Sequence, residues 1–367
     1  MRNPQQRVKR VIVASDSFKG SLTSLEVAES VKEALEVFDV EVIPIAVSDG
    51  GEGFSRVVTT SLNGSFTDCW VHDPLGRLIQ ASYGRAKVKA YLWDMKGEDL
   101  ECAIIDMASA SGLTLLKKDE LDPWNATSFG TGELICQAAK DGLKYIILGL
   151  GGSATVDCGF GILEALKDCP QRDEIHILAA ADVKSPLCGK NGAAICFARQ
   201  KGADDALILR LEERNFSRGL QLEEESGRSI MNHPFAGAAG GAGAAILSLP
   251  HGRIMSGIQF VLESQQFNRK LSECELVITG EGCVDKQTLL GKAPHEIALA
   301  AQAQGVPCVA LAGRVELSKE DKQQSPWSEV VCITPEGMKA EEAMRPSVAK
   351  QNIIESVRRG FWYLPSR

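Results

Sequence analysis

Short apolar runs that stop abruptly at Asp, Gly or Ser, each followed by apolar residues at helical spacing, set the rhythm of this chain. The first run, residues 11–14, stops at Ser15-Asp16. Thr23-Ser24-Leu25-Glu26 then has the form of a capping box, and Ala28, Val31, Leu35 and Phe38 repeat as one helix face. Residues 42–47 stop at Ser48-Asp49-Gly50-Gly51. Residues 145–150 stop at Gly151-Gly152-Ser153, between helices predicted over 132–141 and 161–167. Residues 276–279 stop at Gly280-Glu281-Gly282, ahead of a helix over 294–304. Runs at 309–312 and 330–334 follow, and an amphipathic stretch over 340–361 closes the pattern.

Continuous apolar strands alternating with helices predict a parallel sheet covered on both faces, an α/β fold. Ligands of such folds sit at the carboxyl ends of the strands, here marked by Asp16, Asp49, Gly151 and Glu281. The middle of the chain has a different texture. Residues 70–105 are broken by Pro74-Leu75-Gly76, Tyr83-Gly84 and Lys96-Gly97, which predicts hairpins of antiparallel strands. Residues 175–267 hold another strand, an acidic helical stretch and a Gly/Ala-rich loop. A second domain inserted into the first is expected.

Length agrees, because 367 residues exceed one ordinary core. A net charge of −8 argues against a general nucleic-acid binder, which needs a basic surface. It leaves room for a small anion held by backbone N–H groups at a helix start. The 11 cysteines are scattered singly without a C-x-x-C pair, the pattern of reduced thiols in a cytoplasmic protein. Four apolar residues after the basic start are too few for a signal peptide, and no run reaches the ~20 residues of a membrane span.

Several loops carry chemistry. Asp16-Ser17-Phe18-Lys19-Gly20-Ser21 puts an acid, hydroxyls and an ammonium at a helix start, where an anion can be held and a hydroxyl oriented; the plainer reading is a strand end beside a solvated lysine. Asp49-Gly50-Gly51-Glu52-Gly53 offers two carboxylates to Mg²⁺, or forms an acidic helix start. Gly149-Leu150-Gly151-Gly152-Ser153-Ala154 fits a loose G-x-G-x-x-G/A phosphate loop, a weak signal alone. Asp182 follows the next strand at nearly the spacing of a dinucleotide-binding acid, yet Pro186, Gly189 and Gly192 surround it with turn residues, which suits a site loop. The glycines of 237–243 allow close approach to a ligand or to another backbone. Gly280-Glu281-Gly282-Cys283-Val284-Asp285, with Lys292 beyond, supplies metal-type carboxylates and a phosphate cation. No Walker loop, protein-kinase motif or nucleophile elbow occurs, and the five histidines are too scattered for a metal cluster.

Together these loops resemble the glycerate kinase family of type I. The matching segments are 16–29, 49–53, 73–77 (Asp-Pro-Leu-Gly-Arg), 127–133 (Thr-Ser-Phe-Gly-Thr-Gly-Glu), 149–155, 182–189, 237–243 and 278–292, in order over nearly the whole chain. The resemblance implies ATP-dependent transfer to D-glycerate with Mg²⁺. It implies a Rossmann-like parallel-sheet domain, drawn here over 1–66, 126–168 and 272–367, with an inserted α/β domain of mixed sheet over 67–125 and 169–271 and a site in the cleft between them. On this reading Lys19 stabilises charge, and Asp49 and Asp182 serve as base or metal ligand. Asp16, Ser17, Gly50, Gly51, Glu52, Ser153 and Asp157 hold substrate. Gly151, Gly152, Gly240, Gly241, Gly280, Gly282 and Lys292 hold nucleotide, and Glu281 and Asp285 hold metal. The expected partners are small molecules, not nucleic acid or membrane, in a monomer or homodimer. The chain departs from the family at Val156-Asp157-Cys158-Gly159, usually Asn-Asp-Gly-Gly, and at Cys283, often Arg. It is also shorter after Lys167. A nucleotide-dependent oxidoreductase of a small hydroxy acid and a catalytically silent sugar-acid sensor are the competing readings.

Overall fold

The computed structural model describes residues 8–48, 50–51 and 53–360. Among them are eleven strands: β1 (Arg10–Val13), β2 (Glu41–Pro44), β3 (Ser65–His72), β4 (Leu78–Val88), β5 (Leu100–Asp106), β6 (Tyr145–Gly149), β7 (His176–Ala180), β8 (Gly252–Met255), β9 (Leu276–Val284), β10 (Cys308–Val315) and β11 (Glu329–Cys332). The chain divides into two compact units, one formed by Met1–Val47 with Val261–Arg367 and one by Ser48–Phe260.

The first unit is an all-parallel sheet in the order β11-β10-β9-β1-β2. Its strands are apolar on both faces because helices cover both. Val11, Val13, Leu276 and Ile278 pack with Val27, Val31 and Leu35 of helix Ser24–Leu35 and with Ile353, Ile354 and Val357 of helix Pro346–Gly360. Each such side chain contributes about 1.5–3 kcal/mol on burial. The predicted capping box is present: the Glu26 N–H donates to Thr23 Oγ1 at 3.3 Å and the Thr23 N–H to Glu26 Oε2 at 2.8 Å. Strand β9 runs to Val284 instead of stopping at Thr279, because β10 continues to pair with it through Arg314↔Cys283 and Val315↔Val284. Renumbered within the unit, the order is that of a doubly wound sheet whose strand order reverses between β1 and β9.

The second unit is a mixed sheet in the order β3-β4-β5-β6-β7-β8. The broken segment forms the antiparallel meander β3-β4-β5 as expected, and β5 through β8 run parallel. Its core joins Ile105, Leu134, Ile135, Ile146, Leu148, Ile162, Ile177 and Ile246. The insertion is therefore one continuous segment, and the expected division is corrected. Residues 126–168, drawn with the first sheet, belong to the second, because β6 pairs in register with both β5 and β7. An apolar run buried on both faces fits any parallel sheet, so the sequence pattern does not say which.

Candidate active site

In the first unit the reversal point of the sheet carries the Asp16 and Glu281 loops. The Asp16 N–H and the Ser15 hydroxyl both donate to the Gly280 carbonyl, at 2.9 and 3.0 Å, tying the end of β1 to β9. The Ser17 N–H donates to Asp16 Oδ1 at 2.7 Å, and the exposed Lys19 follows on a turn whose backbone lies beside Gly282. Gly280 itself is a buried strand residue packed on the Leu311 carbonyl of β10. It is thus a packing position and not the expected phosphate turn.

Glu281 is 7% exposed, and its Oε1 has no hydrogen-bond partner among the described residues. Burial raises its carboxyl above the ordinary carboxylate range, while Thr288 and Lys292 pull the other way. Lys292, at the start of helix Ala293–Ala303, has its ammonium 3.6 Å from Glu281 and 3.8 Å from Asp285. Burial alone would raise Asp285 as well, but the Thr288 N–H at 3.0 Å and Lys292 hold it below its usual value. The two predicted metal carboxylates therefore share one cation. Glu281, with an unsatisfied buried oxygen, has the hard donor that suits Mg²⁺; Asp285 already caps a turn. Cys283, Asp285 and Glu316 also lie together, with ligand atoms within 4.8 Å of one another.

In the second unit the carboxyl ends of β5, β6 and β7 bring together Asp106, the glycine loop and Asp182. Gly50 (φ +83°) lies against the Ala180 carbonyl, where an added Cβ would come to 2.6 Å. A Cβ on Gly151 would meet the Gly51 Cα at 2.5 Å. The two predicted glycine loops thus lie backbone on backbone, which only residues without side chains permit. Asp49 and Glu52, on the same loop, lie outside the described residues. Asp106, which the sequence reading passed over, anchors the loop: Oδ2 accepts from the Gly53 N–H at 3.1 Å and Oδ1 from the Ser55 N–H at 2.6 Å. It closes an apolar strand just as Asp16 does, and that signal was available. Asp182 Oδ1 accepts from the Ser256 hydroxyl at 2.8 Å and from the Ile258 N–H at 3.4 Å.

The glycine loop does not open a helix. The segment from Leu150 to Thr155 is bound sideways, Leu150 to the Ala180 carbonyl and Ala154 to the Ser111 carbonyl, and the next helix begins at Phe160. A helix-dipole cradle for phosphate at Gly151 and Gly152 is therefore absent among the described residues. Asp157, assigned to substrate, is a scaffold residue. Its Oδ2 accepts from the Ser128 N–H and hydroxyl and from the Gly161 N–H, and its Oδ1 from the Gly159 N–H, all within 3.1 Å. It clamps the starts of helices Phe129–Lys140 and Phe160–Lys167 together. Gly240 and Gly241, assigned to nucleotide, are buried against the backbone of Thr155, Val156 and Cys158, so their closeness serves packing. Lys201, absent from every sequence-based assignment, lies buried beneath Ser153.

Two consecutive matches to the profile of the glycerate kinase family cover residues 11–169 and 167–361. The chain belongs to the glycerate kinase family. A glycerate kinase from Halalkalibacterium halodurans is 33% identical over 91% of this chain and 93% of its own length. The glycerate 2-kinase of Escherichia coli is 35% identical over 83% and 85%. A crystal structure described as a candidate glycerate kinase 2 from Salmonella typhimurium LT2 superposes with a TM-score of 0.79 at 29% identity, covering 98% of both chains. The kinase family and the α/β architecture anticipated from the loops thus hold.

Against the family pattern, the side chain of Val156 is wholly buried among Ala194, Ala198, Ala203, Ile208 and Leu211. An apolar residue there serves the core. Cys283 stands opposite Arg314 on the neighbouring strand, so a guanidinium remains at this strand end although the family's usual Arg is missing. Among the described residues no helix is long and apolar enough to cross a membrane.

Proposed function

We propose that the chain transfers the terminal phosphoryl group of ATP to D-glycerate, as a type I glycerate kinase acting in the cytoplasm. The observation that carries this reading is the seating of the Gly50-Gly51 loop on Gly151 and Ala180, which gathers Asp106, Ser153 and Asp182 at adjoining strand ends, in a chain matched by the family over nearly its whole length. The 2-hydroxyl is the proposed acceptor, in line with the name of the Escherichia coli relative.

Phosphoryl transfer needs positioning and charge neutralisation more than a strong base. Mg²⁺ bound at Glu281 would supply charge neutralisation at the phosphates. Lys19, exposed on its turn, is free to extend toward anionic oxygens, and Lys292 adds a cation already placed between carboxylates. Asp182 and Asp49 are assigned to orienting the acceptor hydroxyl. The close backbone packing at Gly50, Gly51 and Gly151 fixes the two loops against each other, which is the positioning that the reaction needs.

A coupled ADP-release assay with ATP, Mg²⁺ and D-glycerate tests the reading, followed by identification of the product. Glycerate-dependent ADP release with 2-phosphoglycerate as product is expected. Saturable glycerate binding without ADP release would overturn it in favour of a sensor.

A further inference from the structure

Lys201 ends the short turn Arg199–Lys201 and is 3% exposed. Lysine is almost never buried so completely without a carboxylate partner. Here its ammonium donates to Ser153 Oγ at 2.8 Å and to the Thr155 carbonyl at 2.7 Å. In its charged form Lys201 has hydrogens and no lone pair, so the Ser153 hydroxyl is the acceptor in that bond whenever the ammonium is present. The hydroxyl proton of Ser153 is then left to donate elsewhere, and no described residue accepts it. Two residues on, Thr155 Oγ1 is buried without a hydrogen-bond partner among the described residues. One short loop thus holds a buried cation and two hydroxyls with unspent hydrogen-bonding capacity. Native proteins seldom leave such groups unless a ligand, an ion or an ordered water completes them.

We infer that Lys201, Ser153 and Thr155 form an anion-binding floor beneath the Gly151-Gly152 turn, with Lys201 the positioning residue that frees the Ser153 proton for an oxygen of a phosphate-type ligand. The alternative is that Lys201 only staples the loop. A staple, however, leaves the two hydroxyls unexplained, and a neutral side chain would serve it at lower desolvation cost. Burial pushes the ammonium down to about 7, with Asp157 pulling it back up, so a nearby anion would favour its charged form. The inference rests on the kinase reading only for the identity of the anion as a phosphate chain.

The test uses the full-length protein as wild type, Lys201→Met and Ser153→Ala. The first readout is the shift in melting temperature with tripolyphosphate, which needs no turnover. The second is the separation of kcat from the KM for glycerate. A concentration-dependent shift in wild type, lost in Lys201→Met and weakened in Ser153→Ala, is expected. Turnover of Lys201→Met should fall about tenfold or more, with a smaller change in KM. If Lys201→Met does not fold, Ser153→Ala decides alone. A tripolyphosphate shift as large in the variants as in wild type overturns the inference, as does the absence of any shift in wild type. If wild type shows the shift but releases no ADP with glycerate, the floor stands and the kinase reading falls.

Discussion

The carboxylate of Asp106 receives the backbone N–H of Ser55 at 2.6 Å, from across the loop that precedes helix Phe54–Ser61. Its second oxygen takes the Gly53 N–H at 3.1 Å. An acid at the end of β5 thus does the work of an N-cap for a helix in another part of the chain, where Gly53 offers no side chain of its own.

Asp106→Ala should leave two amide donors at a helix start without their acceptor. The expected loss is about 1–3 kcal/mol of stability, read from urea unfolding midpoints. Turnover should fall further than stability explains, because the same bonds fix the Gly50-Gly51 loop. Unchanged kcat in a folded Asp106→Ala protein would remove the loop's position from the reaction.

A paired substitution isolates the contact between loops. Gly50 and Gly53 share a φ of +83°, but a Cβ on Gly50 would meet the Ala180 carbonyl at 2.6 Å, whereas one on Gly53 has nothing within 4 Å. Both Ala variants incur the left-handed backbone penalty, about 1–2 kcal/mol. Only Gly50→Ala adds the clash and should displace the loop from β7. Gly50→Ala is expected to lose more stability than Gly53→Ala and at least about tenfold in kcat/KM, measured side by side. Equal losses in the two variants would show that backbone strain accounts for the whole effect.

Local pattern reached far into this fold, and where it stopped has physical reasons. The capping box at Thr23, the strand at Tyr145–Gly149 and the antiparallel meander follow from spacing and turn residues alone. The sheet to which Tyr145–Gly149 belongs does not, because pairing partners are chosen by tertiary contacts among equally apolar strands. Asp16, Gly50, Gly151, Asp182 and Glu281 were recognisable as acids and glycines at strand ends. Asp157 carries the same signature, yet the described bonds of its carboxylate all go to neighbouring helix starts. Residue type does not distinguish a carboxylate spent on scaffold from one left to a ligand. Lys201, in Arg199-Gln200-Lys201-Gly202, has the composition of a solvated turn, and only the packing around Ser153 and Thr155 shows it buried.

The buried lysine has a signature in the pH dependence of folding. In the native state its proton is lost near 7, while the unfolded chain keeps it to the ordinary value of 10.5. Between those values the unfolded state binds more protons, so this residue makes stability rise with pH; below about 7 its contribution is at its least favourable. The slope approaches about 1.4 kcal/mol per pH unit for one proton. Lys201→Met should lack this rise and should be the more stable protein at pH 7. Urea midpoints for both proteins from pH 6 to 10 check it, and parallel curves would show that Lys201 titrates normally.

Glu281 makes the opposite demand. Burial raises its carboxyl in the native state, so its contribution to stability is fully present below the unfolded value and is lost as pH rises through the raised one. Glu281→Gln removes that dependence and keeps the shape. Lys292 retains Asp285 as its counter-ion at 3.8 Å, so little Coulombic support is lost. The variant should therefore gain stability relative to wild type as pH rises from 5 to 8, as read from paired denaturation curves. The same substitution takes a hard anionic oxygen from the proposed Mg²⁺ site, so half-maximal turnover should require about tenfold more Mg²⁺. A gain in stability with unchanged Mg²⁺ dependence would mean that the unsatisfied oxygen of Glu281 serves something other than the metal, and would move the metal ligand to Asp16 or Asp285.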